Sequence, residues 1–299
     1  MDILLILLNI ILFLGLAPLY EGIIRKLTAK IQSRQGPPIY QPYLDIMKLL
    51  GKDNLVSGNW AFKLAPMMAF AAVTAVITIV PIGFKPNYLT HYADVITIVY
   101  LLTLAGISIL LGALSSKNAY AMIGASREMV TMIMVEPILA MTFILGAVKM
   151  KSLAIDASMF SVLSNGYSWS VVLMLVVYVM ALQAFVARQP FDISEAEVEI
   201  LEGPFIEYSG PNYALFKYSM MLKQMFYAVL FVTVFMPFLF TGIFIIDLLL
   251  QLIAVAVVFA VIALLGSTNP RLRIDQAVKY YAVLIGVSLC TIAMSVYGI

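Results

Sequence analysis

Apolar residues fall in eight runs, over 3–23, 64–82, 95–114, 129–148, 169–186, 220–240, 243–265 and 277–296. Each is near the roughly 20 residues that cross a bilayer as a helix. The fourth is the least apolar, because Glu136 sits within it, and the sixth and seventh nearly touch at Thr241–Gly242, which predicts a tight helical hairpin. The connection 25–63 is long for a helix bundle. Within it Tyr43, Ile46, Met47 and Leu50 follow i, i+3, i+4, i+7 spacing, so a short amphipathic helix is expected over 43–50. It is too short to span. It lies at the membrane interface or packs on a partner protein. The pattern predicts an all-α, polytopic membrane helix bundle, a single integral membrane domain over 1–299. No internal repeat of the kind that builds many secondary transporters is visible.

Composition agrees. Apolar residues make up 63% of the chain and charged residues 11%, against about 25% charged in soluble domains, and mean hydropathy is +1.02. A net charge of +2 implies no bulk electrostatic partner, and the scattered basic residues carry no nucleic-acid signature. Their distribution orients the chain. With the N-terminus outside, fifteen of the eighteen lysines and arginines are cytoplasmic, and only Lys85, Lys149 and Lys151 lie outside. Eight spans then place both termini outside. The first run has neither a basic leader nor a small-residue cleavage site, so a retained helix is expected rather than a signal peptide.

Three features carry candidate chemistry. Glu128 and Glu136 are eight residues apart, on roughly one helix face and about 12 Å apart along the axis. An intramembrane carboxylate needs a partner or a watery cavity. Glu136 therefore handles protons or ions, or forms a structural ion pair, and Pro137 beside it should loosen the local backbone. Glu128 follows Arg127 and reads either as part of the same device or as a solvated helix start. Second, the connection 188–210 alternates Asp192, Glu195, Glu197, Glu199, Glu202 and Glu207 with Phe191, Ile193, Val198, Ile200, Leu201, Phe205 and Ile206. Large apolar groups there predict a segment folded into the protein or against a partner. Ser194 and Glu197 have capping-box spacing for a short helix. Clustered carboxylates repel, so some should titrate near neutrality. The cluster suits a proton reservoir or an acidic patch for a basic partner. Third, Arg271 and Arg273 in the segment 270–276 either anchor at headgroups or pair with those acids.

Absences narrow the classes. The chain has no P-loop, dinucleotide fingerprint, HExxH or cysteine cluster. Its one cysteine, Cys290, reads as a buried, inert thiol, and its one histidine, His91, as a solvated loop residue. No catalytic residue, metal site or redox centre of its own is expected.

Four blocks together resemble subunit 1 of respiratory complex I, the H subunit, and its counterparts in membrane-bound hydrogenases. They are Arg34-Gln-Gly-Pro-Pro38 with Gln41-Pro and Asp45-Ile-Met-Lys48; Gly124-Ala-Ser-Arg127 with Glu136; Arg188-Gln-Pro-Phe-Asp192 with Glu195-Ala-Glu-Val-Glu199 and Glu207-Tyr-Ser-Gly210; and Pro270-Arg-Leu-Arg-Ile-Asp-Gln276. The resemblance covers nearly the whole chain. It implies a junction in a prokaryotic cell membrane, docking a peripheral redox arm and linking it to ion pumping. Glu136, Glu128, Asp192, Glu195, Glu197, Glu199, Glu202 and Glu207 would form the proton or ion path, with Arg127, Arg188, Arg271, Arg273 and Asp275 as polar partners. Arg34, Gln35, Asp45 and Lys48 would face the redox arm. Iron–sulfur clusters, with or without nickel–iron, would sit in hydrogenase-like large and small partner subunits, beside antiporter-like and small membrane subunits.

Departures from the quinone-reducing branch are a compact first loop, Phe185 where an acid is expected three residues before Arg188, and Met220 in place of a further acid. They favour a ferredoxin-driven, hydrogenase-type complex over a sulfur- or quinone-reducing relative. A free-standing ion transporter is the alternative from another class.

Overall fold

The computed structural model describes residues 2–55 and 59–298, in which thirteen α-helices and no strand are found. Seven are long and apolar enough to cross a membrane: α1 (Asp2–Ile31), α3 (Trp60–Ile79), α5 (Val95–Ser115), α6 (Ala119–Met150), α11 (Gly210–Phe235), α12 (Phe244–Thr268) and α13 (Ile274–Val296). At the fifth predicted run stands α9 (Trp169–Phe185), apolar but only 17 residues, or about 25 Å. The eight expected spans thus become seven long helices and one short one. Five short helices are α2 (Gln41–Leu50), α4 (Tyr88–Tyr92), α7 (Ile155–Met159), α8 (Ser161–Asn165) and α10 (Glu197–Ile200).

Several helices begin well before their apolar runs, because capping rather than hydropathy sets their first turns. Asn118 accepts from Tyr120 N at 2.9 Å and starts α6 ten residues ahead of the run. Pro211 in the first turn starts α11 at Gly210 rather than near 220. Helix α6 continues as one helix through Pro137.

Helix α11 is the hub. From Gln224 to Phe235 every residue is buried, as expected of a helix apolar all round, and α1, α3, α9 and α12 pack on it. Helix α12 instead exposes Ile245, Leu249, Ile253, Val257 and Leu264, an outward stripe suited to lipid. The turn between α11 and α12 is closed by Asp247, buried in the first turn of α12. Its carboxylate accepts from Thr241 N at 2.7 Å, Thr241 Oγ1 at 2.6 Å and Gly242 N at 3.2 Å.

The expected short helix forms as α2, which packs Pro42 and Ile46 toward α1 and α11 and leaves Met47 and Leu50 exposed. Two smaller expectations are corrected. Cys290 is exposed on the outside of the bundle rather than buried. His91 is not merely solvated: its Nδ1 lies 2.9 Å from Asp156 Oδ2, where 88–92 meets 155–159.

Helix α7 reaches α6 at Gly146, where an added β-carbon would overlap the Ser158 carbonyl. Gly146→Ala is therefore expected to cost about 1–3 kcal/mol through overpacking. Detergent-solubilised protein should melt lower, while Gly15→Ala, where nothing lies within 4 Å, should not.

Candidate functional site

The connection from α9 to α11 folds back into the bundle instead of trailing into solvent. Phe191, Ile193, Ala196, Ile200 and Phe205 are buried. Phe191 lies 5.1 Å from the Tyr280 ring and 5.2 Å from that of Tyr281. Leu272 N donates to Pro190 O at 3.0 Å and Gln224 Nε2 to Val186 O at 3.2 Å. The turn at Gly203–Phe205 seats Pro204 against Gly124, where a β-carbon would collide. The expected cap does not form: Ala196, not Ser194, precedes α10 at the cap position and offers no side-chain acceptor, and Ser194 is buried.

This fold-back gathers charge from four elements. Glu21 of α1, 4% exposed, accepts from Arg25 Nε at 3.0 Å and from Arg188 Nη2. Arg25 also holds Asp45 of α2 at 3.0 Å, and Gln41 holds Asp45 at 3.0 Å. Arg271 pairs with Asp192 at 2.8 Å. Burying these groups is tolerable because each carboxylate has a partner.

Three cavities join the charges into a run. The first, about 330 Å³, is lined by Glu21, Arg188, Asp192, Glu195, Glu202 and Lys217 among others. The second, about 30 Å³, is lined by Glu195, Glu128 and Lys223, and the third, about 40 Å³, by Glu128, Lys223, Glu136 and Tyr227. Each has room for ordered water. Glu195 borders the first and second, and Glu128 and Lys223 border the second and third. Titratable groups therefore follow one another from Glu21 to Glu136, within the span of α6.

Burial pushes the Glu195 carboxyl up to about 8, with the Asp192 and Glu128 charges adding and Arg188 and Lys217 opposing. It thus keeps a proton near neutral pH. A carboxyl raised in the folded state binds more protons there than in the unfolded chain between its ordinary value and about 8. Stability should therefore fall as pH rises through that window. Glu195→Gln should flatten the decline, by less than about 1.4 kcal/mol per pH unit, the ceiling for one group. Melting curves from pH 5 to 9 read this, and parallel slopes for both proteins would rule it out. Glu199 behaves oppositely. Its hydrogen bond from Arg127 Nη1, at 2.7 Å, holds it below the usual carboxylate range.

The remaining expected residues are spread more widely. Glu202, at the first cavity, accepts from Tyr213 Oη at 3.0 Å, whereas Glu207 accepts from Asn118 Nδ2 at 2.6 Å and lines none of the three cavities. The side chain of Glu197 lies outside what the structure describes. Arg34, Gln35 and Lys48 are exposed. Arg273 and Asp275, also exposed, border a separate cavity with Arg127, Arg271 and Glu199. Glu21 and Lys223 are the two central residues to which sequence reasoning assigns no role. The signal for Glu21 is an acid inside an apolar run with Arg25 four residues on. For Lys223 it is a cation within Met220-Met-Leu-Lys-Gln-Met-Phe226.

A family model described as NADH dehydrogenase matches residues 3–296. The chain is 32% identical to formate hydrogenlyase subunit 4 of Escherichia coli, covering 92% of each. It is 31% identical to hydrogenase-4 component C of the same organism, covering 95% of this chain and 92% of that one. It is 30% identical to the H subunit of NADH-quinone oxidoreductase from Carboxydothermus hydrogenoformans, covering 92% and 82%. Among solved structures, a chain of the membrane-bound sulfane sulfur reductase, an archaeal respiratory membrane complex, superposes with a TM-score of 0.86. The two are 29% identical over 98% of this chain and 99% of that one.

Proposed function

The chain belongs to the NADH dehydrogenase family, and from that premise we propose that it is the junction subunit of a ferredoxin-driven, ion-translocating complex of hydrogenase type. It joins a soluble redox arm to the pumping membrane subunits. The observation that carries this reading is the unbroken run of titratable groups from Glu21 through Arg188, Glu195, Glu128 and Lys223 to Glu136. Such a run suits charge transfer between the loop and the bilayer interior better than solute transport. Its cavities beyond the first are too small for more than water or a bare ion.

In this role the chain contributes no redox chemistry. The acids of 192–207 take up or release protons as the arm above them changes charge, and Glu136 passes the change to a neighbouring membrane subunit. The fifth connection lies on the cytoplasmic side, both termini outside. Iron–sulfur clusters, with or without nickel–iron, belong to the partners, and Arg34, Gln35, Asp45 and Lys48 face the arm. The likeness to a sulfane sulfur reductase chain supports a second reading, the same junction in a sulfur-reducing complex. Metal analysis of the gently purified complex separates the two: nickel marks the first, and sulfur-reducing activity without nickel marks the second. The junction role itself is tested by ion translocation in sealed vesicles carrying Glu136→Gln.

A further inference from the structure

A fourth cavity, about 290 Å³, lies on the other side of the loop and shares no lining residue with the three that form the run. Three arginines line it: Arg127 from α6, and Arg271 and Arg273 from the segment leading into α13. Ile274, the first residue of α13, lines it too, so the positive end of a 23-residue helix opens into the same space. The acids there are Glu199, 53% exposed at the rim and bonded to Arg127, and Asp275. Asp192 holds Arg271 through Nη2, whereas the buried Arg271 Nε has no partner. Arg273 enters no ion pair among the described residues. Asp192, Glu199 and Asp275 together balance the three arginine charges, so what the cavity keeps in excess is guanidinium donors, those of Arg273 and the Arg271 Nε above all.

Its depth is fixed by the helices. Met141 of α6 meets Ser288 of α13 at 2.7 Å. Arg127 and Arg273 lie fourteen and fifteen residues before that contact, about 21–22 Å along each helix. Helix α13 is about 34 Å long, close to the roughly 30 Å hydrocarbon core. Its first turn thus stands at headgroup level.

We propose that this cavity binds a phosphate group, carried by an anionic phospholipid of the adjoining leaflet. The guanidinium fork matches phosphate oxygens bidentately. The helix end adds backbone N–H donors. Glu199 competes for Arg127 and so limits affinity.

The test uses the intact complex, delipidated in nonionic detergent, and reads retained lipid by native mass spectrometry. Three probes are titrated: phosphatidylglycerol, an uncharged diacylglycerol, and inorganic phosphate as competitor. Wild-type protein should bind phosphatidylglycerol over diacylglycerol, and Arg273→Gln should weaken that binding at least tenfold. Arg273→Lys should fall between them. Glu199→Gln should tighten binding several-fold, a sign that damage to the fold would not produce. Displacement of the lipid by inorganic phosphate supports phosphate recognition, and phosphate binding without lipid binding assigns the site to a soluble phosphate. Binding in neither arm, indifference to Arg273→Gln, or weakening by Glu199→Gln overturns the proposal.

Discussion

In sealed vesicles, Glu136→Gln should lower ion translocation at least about tenfold, a bound set below the roughly hundredfold or more that a positioned proton-transfer group contributes, while the complex still assembles. Glutamine fills the same volume and keeps a hydrogen-bonding oxygen, so packing in the third cavity is little changed. It cannot take or release a proton. Glu136 is the last acid of the run and lies in the middle of the 32-residue α6, where no exposed acid stands by to substitute. Electron transfer by the redox arm should fall less than translocation if coupling slips, or equally if coupling is tight. Both rates must therefore be measured, together with the amount of assembled complex. Normal rates and a normal ion-to-electron ratio would make Glu136 a structural residue and sink the junction path.

The second large effect is expected on stability. Glu21→Leu should destabilise the protein by about 3 kcal/mol, the low end of what breaking a buried pair costs, because both arginines keep some access to water. Arg25 and Arg188 would then face one another with no carboxylate between them; Arg25 keeps Asp45, but Arg188 has no other ion-pair partner among the described residues. Glu21→Gln should cost less, since the amide oxygen still accepts one hydrogen bond. Melting in detergent and resistance to added protease give the ranking wild type, Gln, Leu. Equal melting points for all three would mean that the pair contributes nothing.

Most of the bundle was legible because span length and apolar composition are set by the bilayer, and α9 matches its expected limits within one residue. Helix starts were less legible. Asn118 and Pro211 act through local hydrogen bonding and backbone geometry, which a hydropathy window averages away. The loop acids were legible as a cluster, but their division was not. Whether an acid lines the run, as Glu195 does, or pairs outward, as Glu199 does, depends on which side of the fold-back it occupies. Glu21 was hidden for a related reason: its second partner is 167 residues away, and no periodicity reports such a contact.

The double pairing of Glu21 also bears on how the chain is made. Helix α1 is synthesised first, while Arg188 follows 167 residues later, on the order of ten to thirty seconds at typical elongation rates. Through that interval the carboxylate would stand in a nascent membrane helix without its tertiary partner. Arg25, one turn away in the same helix, is present from the start. A counter-ion for one carboxylate oxygen is thus available before Arg188, which pairs with the other oxygen in the finished fold, has been made.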